Sequence, residues 1–232
     1  MNAYSEILRY MGHSPGQSSG ASAGIPPELE ELVSSCLEKL ISFCSPRHVI
    51  AQLPCEAGTD CVTIGSLKIG SSSLAAHLSG CSGAYVFAAT LGADVDRLIA
   101  QRSKLDSAEA LCVQACAAVR IEEYCDGVER ELSNEVKARG LHLRSRFSPG
   151  YGDFDIAHQT DILNMLNAHK RIGLGETKSH MLVPLKSVTA VIGAGPPGIE
   201  YPALSPRDFC AKDKCAGCNK ADCLFRAEEP KK

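Results

Sequence analysis

The chain has 232 residues, a formal net charge of −3 and a hydrophobic content of 44%, which are ordinary values for a globular protein with one substantial core. The small charge and the pI of about 6.2 give no general attraction to nucleic acid. No apolar run approaches the roughly 20 residues that a membrane-spanning helix needs, and the N-terminus lacks the basic start and apolar core of a secretory signal. We therefore expect a cytoplasmic protein that binds neither nucleic acid nor membrane.

Hydrophobic periodicity and turn residues predict the elements in chain order. Residues 13–24, rich in Gly and Ser, are expected to form a flexible linker. Helices are predicted at 3–11, after Pro26-Pro27 as far as Pro46, and at 71–78 (capped by Ser72 or Ser73), 94–101, 107–139 (stopped by Gly140) and 157–170. Strands are predicted at 49–53, at 61–69 as a hairpin with a Gly65-Ser66 turn, at 84–90, and once or twice within 181–192.

The 107–139 helix carries a carboxylate near its apolar stripe. Placed at 100° per residue, Glu122 falls inside or at the edge of that stripe. Burying a carboxylate alone is costly, so a functional or paired Glu and a rim Glu that reaches solvent are the alternatives. The stripe consists of Leu111, Ala115, Ala118, Cys125, Val128, Leu132 and Val136.

The sequence Arg146-x-x-Pro149-Gly150-Tyr151 predicts a rigid turn. Pro149 fixes its own φ, and Gly150 can take the positive φ that other residues resist. The turn can present backbone N–H groups, a guanidinium and a phenol from one point, and an Arg is suited to grip a carboxylate with two hydrogen bonds. A ligand with an α-carboxylate, a cationic centre and an adenine, such as S-adenosylmethionine, suits this set.

This turn and the elements after it resemble the activation domain of cobalamin-dependent methionine synthase. The order and spacing match closely over about 50 residues, and a looser match reaches upstream. The N-terminal segments ILRYMG and SPRHV resemble short versions of the domain that occur as separate proteins. The matching residues are Arg146, Pro149, Gly150, Tyr151, Gln159, Leu163, Ile172, Gly173, Leu174, Thr177, Ser179, Pro184, Ser187 and Val188.

The resemblance implies roles for particular residues. Arg146 would bind the carboxylate of S-adenosylmethionine, and the Phe147 backbone would contact the adenosine. Gly150 belongs to the same turn, and Tyr151 would lie near the cobalt face of a docked corrinoid. Glu122 matches a family carboxylate that helps hold the methionyl end. The longer members use a second acid near the start of the domain, and it has no assigned counterpart here.

The resemblance also implies a function. The protein would bind S-adenosylmethionine and support reductive remethylation, and so reactivation, of cob(II)alamin in methionine synthase. The corrinoid comes with that partner, and the electron comes from a donor such as flavodoxin or ferredoxin. The protein's contribution is mainly positioning, so no catalytic residue is named, and whether the chain is itself an enzyme is left open.

Twelve cysteines are many for such a chain. Four of them, Cys210, Cys215, Cys218 and Cys223, lie within 14 residues near the C-terminus, with a Cys-x2-Cys pair that lets two sulfurs converge on one ion. A zinc site and an iron–sulfur cluster both remain open. The other eight are expected to be reduced thiols packed as small apolar groups.

The predicted fold class is α+β: a twisted, mainly antiparallel sheet flanked by helices, as in the activation domain. Residues 1–60 are expected to form a helical segment with the Gly/Ser linker, 61–205 the S-adenosylmethionine-binding domain, and 206–226 the Cys-rich metal-binding tail. The alternative function is an iron–sulfur electron-transfer protein or a zinc-binding adaptor that acts through the Cys cluster.

Overall fold

The computed structural model describes residues 3–12 and 26–197. The predicted linker at 13–24 and the cysteine tail therefore lie outside the described residues. The elements in chain order are α1 (Ala3–Tyr10), α2 (Pro27–Phe43), β1 (Arg47–Ala57), β2 (Cys61–Ile64), β3 (Leu67–Gly70), α3 (Ser72–Leu78), β4 (Gly83–Thr90), α4 (Ala93–Arg102), α5 (Ser107–Lys137), β5 (His142–Leu143), α6 (His158–Leu166), α7 (Ala168–Ile172), β6 (Gly175–Glu176), β7 (Leu182–Val183) and β8 (Ser187–Gly195).

The predicted α+β fold is confirmed: a six-stranded antiparallel sheet is flanked by helices. Its strand order is β3-β2-β1-β4-β8-β5. The predicted hairpin closes at the Ile64–Leu67 pair, and Gly65 takes a φ of 59°, as the first central residue of a type II′ turn requires. Strands β4 and β8 are buried along nearly their whole length, in keeping with mainly apolar runs that do not alternate with exposed polar residues.

Two predicted helix details are wrong. The single helix over 157–170 is two helices, α6 and α7, because Asn167 between them adopts the left-handed conformation with φ 49°. Asn tolerates that conformation better than other side chains do. Ser71, rather than Ser72 or Ser73, caps α3: its backbone is extended, and its Oγ accepts the Leu74 N–H at 3.0 Å.

The predicted stripe on α5 is wrong at its N-terminal end. Leu111 is 49% exposed, whereas Cys112 and Cys116 are fully buried. Leu111, Gln114 and Glu122 share one exposed line along the helix, while the positions between are mostly buried. The helix is therefore buried around most of its circumference here. The other predicted stripe residues are buried as expected, apart from the half-buried Ala118: Ala115, Cys125, Val128, Leu132 and Val136.

The chain divides into two compact units. Of the described residues, the first unit contains 3–12, 26–48, 89–128 and 170–188, and the second contains 49–88, 129–169 and 189–197. All eight cysteines of the described ranges are free. Six are buried, as expected for thiols packed as small apolar groups, and Cys44 and Cys61 are half-buried. Among the described residues, no helix is both long and apolar enough to cross a membrane.

In the first unit, Glu109 of α5 is the main charged contact between helices. Its carboxylate lies 2.6 Å from Lys39 Nζ of α2 and 3.4 Å from Arg102 Nη1 of α4. The hydrogen bond from Lys39 is the largest cause that holds the pKa of Glu109 below its usual value. A carboxylate near the start of α5 also complements the positive end of the helix dipole.

Candidate functional site

The segment that carries Arg146 lies along β8 in the second unit. Arg144 N–H donates to the Gly193 carbonyl at 2.8 Å. Phe147 and Val191 exchange both backbone hydrogen bonds, each 2.9 Å long. The backbone on either side of Arg146 is thus fixed by sheet pairing, and the polar backbone groups of Phe147, expected to contact adenosine, are engaged with Val191.

The Pro-Gly-Tyr turn has the rigid form that its sequence predicts. Gly150 takes a φ of 94°, a conformation that strains any residue with a Cβ. Its N–H donates to the Phe154 carbonyl at 2.7 Å, and Tyr151 N–H donates to the Ser148 carbonyl at 3.0 Å. The turn therefore closes on itself and holds Tyr151 at a defined point near Arg146.

The Arg146 guanidinium is paired with a carboxylate that the sequence reasoning missed. Arg146 Nη1 donates to Glu129 Oε2 at 2.7 Å, and the two side chains are 9% and 27% exposed. Glu129 lies in the C-terminal part of α5, which belongs to the same unit as the turn. A positive and a negative group thereby lie side by side, with the carboxylate partly exposed and the guanidinium almost fully buried.

Phe147 is fully buried in an aromatic cluster. Its ring centroid lies 4.9 Å from that of His77, 5.7 Å from that of Tyr151 in edge-on contact, and 6.2 Å from that of Phe154. Such contacts add to the burial of the rings. This cluster fixes the side chain of Phe147, the residue directly after Arg146.

Asp153, just after the turn, binds the start of α3. Its carboxylate accepts Ser71 Oγ–H at 2.6 Å and the backbone N–H groups of Ser72 and Ser73 at 2.8 and 2.9 Å. These bonds hold the pKa of Asp153 far below its usual value, the Ser71 hydrogen bond first among them. The negative charge also sits where the helix dipole is positive.

In the first unit, the other polar residues of the family-like pattern make local structural contacts. Thr177 Oγ1 lies 3.0 Å from Ser179 Oγ and accepts the Met181 N–H, within the loop between β6 and β7. Ser187 Oγ lies 2.8 Å from Thr90 Oγ1. These contacts stabilise the backbone, so nothing in them requires a ligand.

Glu122 also lies in the first unit, and it is exposed on α5. Of the two alternatives drawn from the sequence, the structure has the Glu at the outer surface of the helix, where it makes interactions of its own. Its expected role at the methionyl end continues to rest on the sequence resemblance.

The four cysteines proposed as metal ligands, Cys210, Cys215, Cys218 and Cys223, lie outside the described residues. Within residues 3–12 and 26–197, no group of three or more His, Cys, Asp or Glu side chains is placed to hold a metal ion. The metal site therefore remains a prediction from the sequence.

Glu129, Asp153 and His77 are the residues near Arg146 that the sequence did not reveal. Glu129 is one of several acids on a long helix and has no spacing that sets it apart. Asp153 and His77 act on partners 82 and 68 residues away in the chain. The Gly-Asp after the turn was the available signal, since Asp commonly accepts hydrogen bonds from turn and helix-cap backbone.

No protein-family model matches the chain, and no curated protein matches its sequence significantly. Among solved structures, the chain is similar to the crystal structure of the MetH reactivation domain bound to AdoHcy. The identity is 17%, the TM-score is 0.63, and the match covers 86% of this chain and 75% of that one. At this identity the likeness concerns the fold alone. The chain thus has the fold of the MetH reactivation domain, which is the fold that the sequence resemblance implied.

Proposed function

We propose that this chain binds S-adenosylmethionine at the Arg146 turn and supports the reductive remethylation of an oxidised corrinoid in methionine synthase. The observation that carries the proposal is the Arg146–Glu129 pair, in which the two side chains lie 2.7 Å apart and the chain on either side of Arg146 is fixed by pairing with β8. The shared fold supports it, since the structurally similar MetH domain was crystallised with AdoHcy, the demethylated form of the same ligand.

The charges of the pair suit the methionyl end of the ligand. S-adenosylmethionine carries an α-carboxylate and an α-ammonium on one carbon. An Arg recognises the carboxylate through parallel N–H donors, and a carboxylate beside it attracts the ammonium. We assign the carboxylate to Arg146 and propose that Glu129 is the acid that attracts the ammonium. Glu122 is retained as a further acid on the strength of the resemblance.

The remaining assignments concern the turn. By the resemblance, the Phe147 backbone would contact the adenosine. The fully buried ring of Phe147 and the positive φ of Gly150 would hold this part of the chain in place. Tyr151, held edge-on against Phe147, would face the corrinoid of the partner. The partner's corrinoid, together with an external electron donor such as flavodoxin or ferredoxin, would supply the nucleophile for the methyl group.

The chain's own residues would bind the ligand, orient its methyl group and exclude water, without moving a proton. Catalysis of this kind relies on holding two reactants in an aligned geometry. The proposal therefore names binding residues and no general acid or base. The partner is a corrinoid-carrying methionine synthase, and the ligand's methyl group is the group transferred.

The test is calorimetric titration of the anaerobically purified full chain with S-adenosylmethionine. Arg146→Ala should weaken binding at least about tenfold, since it removes a charge-assisted contact. Arg130→Ala, which removes an exposed Arg of α5 in the same unit, should leave the Kd unchanged. Absence of saturable binding by the wild-type chain, or equal binding by Arg146→Ala, would contradict the proposal.

A further inference from the structure

The short helix α3 is joined at both ends to the segment that carries Arg146. At its N-terminal end, the Asp153 carboxylate accepts hydrogen bonds from Ser71 Oγ and from the N–H groups of Ser72 and Ser73. At its C-terminal end, Arg144 Nη2 donates to the Ser79 carbonyl at 2.9 Å. The helix is therefore anchored at one end to Asp153 and at the other to Arg144, which lie on either side of Arg146 in the chain.

His77, near the C-terminal end of α3, touches both chain neighbours of Arg146. Its Nε2 lies 2.9 Å from the Ser145 carbonyl oxygen. Since that oxygen can only accept, the hydrogen bond assigns the proton to Nε2. The imidazole ring is 5% exposed and packs on the Phe147 ring. One side chain thus fixes the backbone before Arg146 and the side chain after it.

Helix α3 is also packed closely against the sheet. A Cβ at Gly193 of β8 would lie 2.7 Å from Leu78 Cδ2 and from Cys81 Sγ, so this end of α3 approaches the strand as closely as a backbone without a side chain allows. Leu74, Ala75 and Leu78 of the helix are fully or almost fully buried. Displacement of α3 relative to β8 would disrupt close packing.

We propose that His77 and Asp153 are positioning residues that, through α3, hold Arg146 where it grips the carboxylate of the ligand. This inference rests on the proposed function. Neither residue needs to touch the ligand, because each acts on the backbone that places the guanidinium. Supporting side chains of this kind commonly decide whether a binding group is held to within a fraction of an ångström.

A general structural role and a positioning role predict different losses of affinity for ligands with and without the methionyl end. Methylthioadenosine shares the adenosine, the sulfur and its methyl group with S-adenosylmethionine. Its sulfur is a neutral thioether rather than a sulfonium, and it lacks the carboxylate and ammonium of the methionyl end. Loosening the Arg146 turn should weaken binding of S-adenosylmethionine more than binding of methylthioadenosine. A variant that merely destabilises the unit should weaken both alike.

The experiment is titration of full-chain His77→Phe with both ligands, with His77→Gln as the matched control. Phe keeps an aromatic ring against Phe147 but removes the donor to Ser145, whereas Gln keeps a donor. We expect His77→Phe to bind S-adenosylmethionine about tenfold more weakly, with less than a twofold change for methylthioadenosine, and His77→Gln to recover most of the loss. Equal losses for the two ligands, or no loss for either, would overturn the inference.

Asp153, at the N-terminal end of α3, provides a second variant should His77→Phe fail to fold. Asp153→Asn keeps the Oδ1 acceptor used by Ser71 and Ser73, and Asp153→Ala keeps none. The selective loss should therefore be larger for Ala than for Asn. In an Arg146→Ala background the selective loss should vanish, because the group being positioned is gone; persistence there would also overturn the inference. If the wild-type chain binds neither ligand, the proposed function itself is contradicted, and the inference that rests on it falls as well.

Discussion

Arg146 and Glu129 form an ion pair in which the guanidinium is almost fully enclosed and the carboxylate is partly open to solvent. A guanidinium at that depth requires a carboxylate near it, because an unpaired buried charge is strongly unfavourable. The pair also fixes the direction of the Arg146 fork before any ligand arrives. Less ordering is then needed when a ligand carboxylate binds, which favours affinity.

Replacement of Glu129 should therefore affect both folding and binding. We expect Glu129→Ala to lower the free energy of unfolding by about 1–3 kcal/mol, because the mostly buried Arg146 guanidinium loses a carboxylate partner. The same variant should weaken binding of S-adenosylmethionine. Urea unfolding and calorimetric titration measure the two effects. Glu135→Ala, an exposed position on the same helix, is the control, and an equal effect there would show that the pair has no special role.

Two glycines offer a pair of substitutions with opposite expected signs. A Cβ at Gly193 meets two side-chain atoms at 2.7 Å, and overpacking of this kind costs about 1–3 kcal/mol. Gly127 lies within α5 and a Cβ there meets nothing within 4 Å, so Ala should stabilise the helix by up to about 1 kcal/mol. Thermal unfolding of Gly193→Ala and Gly127→Ala should shift in opposite directions; a stable Gly193→Ala would show that α3 can move away from β8.

Local signals explain what the sequence predicted well. The Gly65 turn and the Gly150 conformation follow from glycine's access to positive φ, and the end of α5 follows from Gly140 in the same way. Burial of β4 follows from a continuous apolar run. In each case the determining residues lie within a few positions of one another.

Long-range pairings explain what the sequence missed. The bonds from Asp153 to Ser71 and from His77 to Ser145 join residues that no periodicity relates. Leu111 shows a different difficulty: a helix buried around most of its circumference has no single apolar stripe, so the hydrophobic pattern does not identify its outer face. The break at Asn167 was missed because the residues on both sides continue a helical pattern.

The cysteine tail predicts one metal centre per chain. Anaerobically purified full-length protein should contain zinc, or iron with acid-labile sulfide, and replacement of Cys215 and Cys218 together by Ser should remove it, because each thiolate supplies one of four ligands. Cys44→Ser, a free thiol of the described part, should leave the metal content unchanged. Binding of S-adenosylmethionine should survive the double replacement. Metal-free wild-type protein would remove the electron-transfer and zinc-adaptor alternatives together.

His77 predicts how stability depends on pH. Burial is the main cause that lowers its pKa, with the nearby Arg144 charge acting in the same direction and the hydrogen bond to Ser145 opposing both. In the unfolded chain the imidazole has its ordinary pKa of about 6.5. Between that value and the lower folded pKa, the unfolded state binds more protons, so stability rises with pH in this interval. Above it the stabilisation is complete, and it is lost as the pH falls.

The measurement is the free energy of unfolding in urea between about pH 8 and pH 5. His77→Gln removes the titrating group while keeping a donor for Ser145, so its stability should decline less steeply below about pH 6.5 than that of the wild type. His169→Gln, at an exposed position of the same unit, should reproduce the wild-type slope. If His77→Gln and wild type decline in parallel, the imidazole gains protons in the folded state as readily as in the unfolded one. Its ring would then not be enclosed beneath the Arg146 turn in solution.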